Sequence, residues 1–126
     1  MTLETSLARV TGLGSAKQGT HHWWMQRITA IALVPLTFWL VYSLLSLTRL
    51  DHSAVTHWIA SPVSSAIIIL FIISIYYHAI LGIRVVIEDY VESELLKICS
   101  VITINFIFIF AALVSVITVI KVALGI

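Results

Sequence analysis

Charged side chains are scarce in this chain, with seven Lys or Arg and six Asp or Glu among 126 residues. Hydrophobic residues make up 60% of it, and mean hydropathy is +1.09. A soluble domain of this length could not hide so much apolar surface, so the composition excludes that class and points to a membrane protein. A net charge of +1 gives no footprint for nucleic acid. Cysteine is nearly absent. Cys99 stands alone, which excludes an internal disulfide or a cysteine-rich metal site, and it is expected to be a small buried hydrophobe.

The first twenty residues lack the apolar core of a signal peptide. With Arg9 and Lys17 as bases and Glu4 among them, they also make a poor transit peptide. Residues 1–22 are therefore expected to be a retained flexible tail carrying Gly12, Gly14 and Gly19.

What is abundant is unbroken apolar sequence. Three runs predict an all-α integral membrane domain over 23–126, with transmembrane helices of about 27–48, 62–88 and 95–122. Each is near or above the roughly 20 residues needed to cross a ~30 Å hydrocarbon core. Trp23 and Trp24 precede the first run, where amphipathic indoles meet headgroups. Ser61 and Pro62 read as a capping hydroxyl followed by proline at the first helical position. Pro35 interrupts the first run and predicts a kink.

The bases Arg9, Lys17, Arg27, Arg84 and Lys97 fall on one side, and Arg49 and Lys121 on the other. That imbalance puts the N-terminus in the cytoplasm or a mitochondrial matrix and the C-terminus on the opposite side.

Within the second run, residues 76–92 read YYHAILGIRVVIEDYVE. A histidine inside a span is costly and faces protein or a cofactor. Three roles compete for His78: a neutral group bonded to a neighbouring helix, a proton relay, or a metal or haem ligand. At 100° per residue, Ser74, Gly82, Val85 and Asp89 all fall within about 40° of His78. Gly82, one turn from His78, leaves either a flat gap for a macrocycle or room for close helix packing. His21, His22, His52 and His57 lie outside the spans, so a second axial ligand would have to come from another chain. Arg27 opens the first helix on His78's side of the membrane, where it can pair with a haem propionate or snorkel to headgroups. Arg84 can pair with Glu88 four residues on. Asp89 and Tyr90 at the mouth of the second helix suit either an aromatic belt and solvated loop or a quinone head group.

Two segments carry a family resemblance. HHWWMQRITAIALVPLTFW, with its R-x-T-A start at Arg27, and HAILGIRVVIEDYV, with H-x-x-x-G followed by D-Y, resemble the smaller haem-binding membrane-anchor subunits of succinate dehydrogenase, respiratory complex II. The likeness covers about residues 20–92; the third helix matches only as an apolar span.

The resemblance implies that His78 is one axial ligand of a haem b shared with a larger anchor subunit. It places Arg27 near a propionate and Gly82 against the haem, and it has Tyr90 hydrogen-bonding ubiquinone beside Asp89. It also implies an iron–sulfur subunit and a flavoprotein docked on the cytoplasmic side, with membrane lipid as the remaining neighbour. The poor transit peptide favours a bacterial inner membrane over a mitochondrial one. A haem-free assembly subunit and a fumarate reductase anchor are the alternatives. A transporter would need more polar lining than Thr103, Asn105, Ser115 and Thr118 supply in the third run.

Overall fold

A computed structural model describes residues 17–48 and 51–126. The elements are α1 (Lys17–Leu47), α2 (His52–Ala60), α3 (Pro62–Tyr90) and α4 (Glu94–Leu124). Helices α1, α3 and α4 contain segments long and apolar enough to cross a membrane. At 1.5 Å per residue the 31-residue α1 is about 46 Å long, well beyond the ~30 Å hydrocarbon core.

That length separates the structure from the sequence expectation at the N-terminus. The helix begins at Lys17, inside the segment expected to be a tail, while 1–16 lie outside the described residues. Lys17–Gln26 is too polar to register as an apolar run, yet a helix already nucleated by the span propagates outward at little further cost.

Between the first two spans lies the short helix α2, which the apolar runs do not announce. Asp51 caps it: its carboxylate accepts the Ala54 backbone N–H at 3.2 Å and the Ser53 hydroxyl at 3.0 Å. These bonds favour the ionised form and hold the Asp51 carboxyl below its ordinary value, the Ser53 bond contributing most. Trp58 of α2 stacks on Trp39 of α1, with ring centroids 5.6 Å apart.

Pro62 occupies the first turn of α3 as expected, but the Ser61 hydroxyl makes no capping bond. The junction is joined instead by backbone: Ser61 N–H donates to the His57 carbonyl at 3.2 Å, and Ser65 N–H donates to the Ser61 carbonyl at 2.9 Å. The Ser65 hydroxyl reaches back to the Ile59 carbonyl, tying α3 to α2.

Only Val91–Ser93 separate α3 from α4, so the two form a tight antiparallel hairpin. Helix α4 ends in a Schellman arrangement. Gly125 has φ 72, Ile126 N–H donates to the Lys121 carbonyl at 3.0 Å, and Gly125 N–H donates to that of Val122 at 3.2 Å.

Helix α3 packs against both α1 and α4, and α2 packs across α3 and α4. The interior is thin. Leu81 and Ile87 are the buried hydrophobics, and Thr29, Ser64 and Ser74 the buried polar residues, among those described. Large apolar side chains instead face outward, Ile31, Phe38 and Phe106 among them. Water would penalise such a surface, whereas lipid or another apolar subunit would cover it. Cys99, expected to be buried, is exposed on α4, because no other described helix covers that face.

Candidate functional site

The site forms where α1 and α3 cross. Thr29 of α1 meets His78 of α3, with Oγ1 2.9 Å from Nδ1. One turn towards the opposite ends of the two helices, Gln26 lies beside Gly82. As one residue number falls the other rises, so the helices run antiparallel. The first turns of α1 and the last turns of α3 therefore reach the same end of the molecule.

The surroundings of the Thr29 hydroxyl favour one tautomer of His78. The Thr29 hydroxyl has one proton, and its oxygen lies 2.8 Å from the Met25 carbonyl and 3.0 Å from that of Gln26. Carbonyls can only accept, so the hydroxyl donates to them and Oγ1 accepts the Nδ1–H of His78. In the neutral imidazole this leaves Nε2 with a lone pair. Nε2 makes no hydrogen bond among the described residues.

His78 lines a cavity of about 250 Å³ with Trp23, Gln26, Arg27 and Ala30. Positions 23, 27 and 30 recur at helical spacing, so they form one stripe of α1. The Arg27 guanidinium lies over the Trp23 ring, 4.4 Å from its centroid, a cation–π contact that orients the charge without neutralising it. No carboxylate pairs with Arg27 among the described residues; the ion pairs there are Arg84–Glu88 at 3.6 Å and Lys97–Glu94 at 3.3 Å. The first is the pair expected from the spacing.

Packing among the described residues does not demand Gly82. A Cβ built there would meet the Gln26 side-chain nitrogen at 3.8 Å, an ordinary van der Waals contact. The close-packing explanation of this glycine therefore finds no support between α1 and α3.

Asp89 and Tyr90 sit apart from this cavity. They close the last turn of α3, about 16–18 Å along the axis from His78. Tyr90 is 82% exposed, and neither side chain makes a hydrogen bond or ion pair among the described residues. The structure thus joins Arg27, His78 and Gly82 around one crossing and leaves Asp89 and Tyr90 at its open end.

Thr29 and Gln26 were missed as site residues by sequence reasoning. A threonine two positions after Arg27 is a visible signal, but its partner lies 49 residues away. Larger grooves between α3 and α4, of about 340 and 710 Å³, are lined mainly by apolar side chains such as Ile73, Phe108 and Val119 and do not include His78. No three His, Cys, Asp or Glu side chains gather as a metal-ion site among the described residues.

Comparison with known proteins bears on the same chain. Residues 1–120 match the family model described as the succinate dehydrogenase/fumarate reductase transmembrane subunit. The succinate dehydrogenase hydrophobic membrane anchor subunit of Rickettsia bellii is 38% identical over 91 residues, covering 72% of this chain and 73% of that protein. The subunit of the same name from Rickettsia conorii is 35% identical over 95 residues, covering 75% of each. That of Paracoccus denitrificans is 30% identical over 95 residues, covering 75% of this chain and 74% of its own.

Proposed function

This chain belongs to the succinate dehydrogenase/fumarate reductase transmembrane subunit family, as a hydrophobic membrane anchor, and on that premise we propose that it holds one side of a haem b and one wall of a quinone site. The observation that carries this reading is a pairing on one cavity wall: a histidine whose Nδ1 is already engaged, leaving Nε2 to donate, and an arginine with no carboxylate partner among the described residues.

The donor set fits the group. Neutral imidazole nitrogen is a common axial ligand of haem iron, and a guanidinium fork matches a propionate carboxylate. The space at Gly82, which nothing among the described residues fills, suits the edge of a flat ring. When bound, haem b supplies a one-electron redox centre within the membrane. His78 would ligate it, Arg27 would pair with a propionate, and Trp23 holds Arg27 in place. A cavity of about 250 Å³ falls below the roughly 300–1,000 Å³ of pockets that enclose a drug-sized ligand. The rest of the pocket would therefore come from a partner, the larger anchor subunit.

At the open end, Tyr90 donates a hydrogen bond to a ubiquinone carbonyl oxygen, which favours the negative charge that develops there on reduction. Asp89, with no ionic partner among the described residues, exchanges protons with water beside it. The iron–sulfur subunit and, behind it, the flavoprotein dock at this end. It faces the cytoplasm of a bacterial inner membrane, in keeping with its excess of Arg and Lys and with the bacterial relatives.

The deciding experiment is a dithionite-reduced minus oxidised spectrum of the purified native complex beside its His78→Ala variant. The expected result is a b-type haem signal that the substitution abolishes or strongly alters. A native complex without haem, or a variant with an unchanged signal, would overturn the assignment of His78.

A further inference from the structure

We propose that Thr29 is a positioning residue for His78, holding the imidazole in the Nδ1–H tautomer and at the ring angle that iron ligation through Nε2 requires. The inference rests on the haem reading above and adds to it a residue outside the resemblance's site set.

Thr29 is 8% exposed, one of three buried polar residues among those described. A threonine in a helix commonly bonds the carbonyls one turn back, and Thr29 does so to Met25 and Gln26. That back-bond uses its only proton. The same oxygen can then act towards His78 solely as an acceptor, 2.9 Å away. Helix α1 therefore offers His78 a fixed acceptor whose direction is set by backbone, not by a freely rotating hydroxyl.

Two consequences follow for the imidazole. The proton is kept on Nδ1, so Nε2 stays unprotonated without any tautomer shift before ligation. The hydrogen bond also raises the electron-donating power of the ring, as outer-shell acceptors do for metal-bound histidines. A more strongly donating ligand favours ferric over ferrous iron, so Thr29 lowers the haem midpoint potential.

The test uses the intact complex carrying Thr29→Val, which keeps the shape and removes the hydroxyl, and Thr29→Ser, which keeps the hydroxyl and removes the methyl. Haem content and the haem midpoint potential are measured in each. Thr29→Val should raise the potential and weaken haem retention, by about 10–100-fold in affinity for loss of an outer-shell partner, and Thr29→Ser should match the native complex. If the valine variant fails to assemble, Thr29→Ala carries the same comparison with a smaller side chain.

Native values of both quantities in the hydroxyl-free variant would overturn the proposal. So would a serine variant shifted as far as the valine or alanine one, because the methyl would then be the active part. His78→Ala in parallel separates the two failures. Haem retained without His78 removes the haem reading and this inference with it. Haem lost without His78, but untouched by loss of the Thr29 hydroxyl, removes this inference alone.

Discussion

A glycine in the interior of a helix costs roughly 1 kcal/mol relative to alanine, and Gly82 sits in the interior of α3 with room for a Cβ. Among the described residues nothing claims that space, and the proposed haem would use it. Gly82→Ala should accordingly leave α1–α3 packing intact, with helix stability unchanged or raised by up to about 1 kcal/mol, while haem content of the complex falls. Thermal melting followed by circular dichroism, together with the haem-to-protein ratio, checks both halves. A full haem complement in that variant would return Gly82 to an ordinary helix position. Tyr90 is tested differently, because its ring is largely exposed. Tyr90→Phe should preserve assembly and the haem spectrum and lower quinone reduction by about 100-fold or more, the range for loss of a positioned proton or hydrogen-bond donor. Normal turnover with ubiquinone would remove Tyr90 from the site. Both residues were visible in the sequence as types and spacings. What spacing could not reveal is that Gly82 is unconstrained by the described part of its own chain, since that depends on where Gln26 of α1 lies.

Among the helices, α2 is the element that hydropathy did not announce, because nine residues between spans carry no periodic apolar signal long enough to separate them from a loop. Its stability depends on its ends. Asp51 caps it through Ala54 and Ser53, and the folded carboxyl titrates below its ordinary value of 3.8. The sign follows directly. A group whose pKa is depressed by folding contributes stability that is complete above its unfolded value and is lost as pH falls towards the folded one. Amide exchange protection at Ala54 should therefore be constant from neutral pH down to about pH 4 and decline below that. Asp51→Asn, which still caps, should remove the decline. Protection that stays flat through pH 3 in the native chain would contradict the cap as a carboxylate. The long helices behave otherwise. Their existence was legible from composition, yet their ends were not: α1 continues outward to Lys17 through polar residues that only an established helix recruits.

At the scale of the whole molecule, the chain is an incomplete body. Its interior is two buried hydrophobics and three small polar side chains among the described residues, while most of its large apolar groups face outward. That distribution suits a subunit whose remaining partners are lipid and other apolar helices. Membership of a membrane-anchor family accords with it. The sequence by itself determined the class, the three spans and the positions of His78, Arg27, Asp89 and Tyr90 along them. Desolvating about 20 consecutive residues is a local matter that composition decides. The tertiary structure alone decided the register of α1 against α3. That register depends on how two surfaces interlock, and it brings Thr29 to His78 across 49 residues. The tautomer of the histidine, the shared cavity with Arg27 and the spare room at Gly82 all follow from that one crossing.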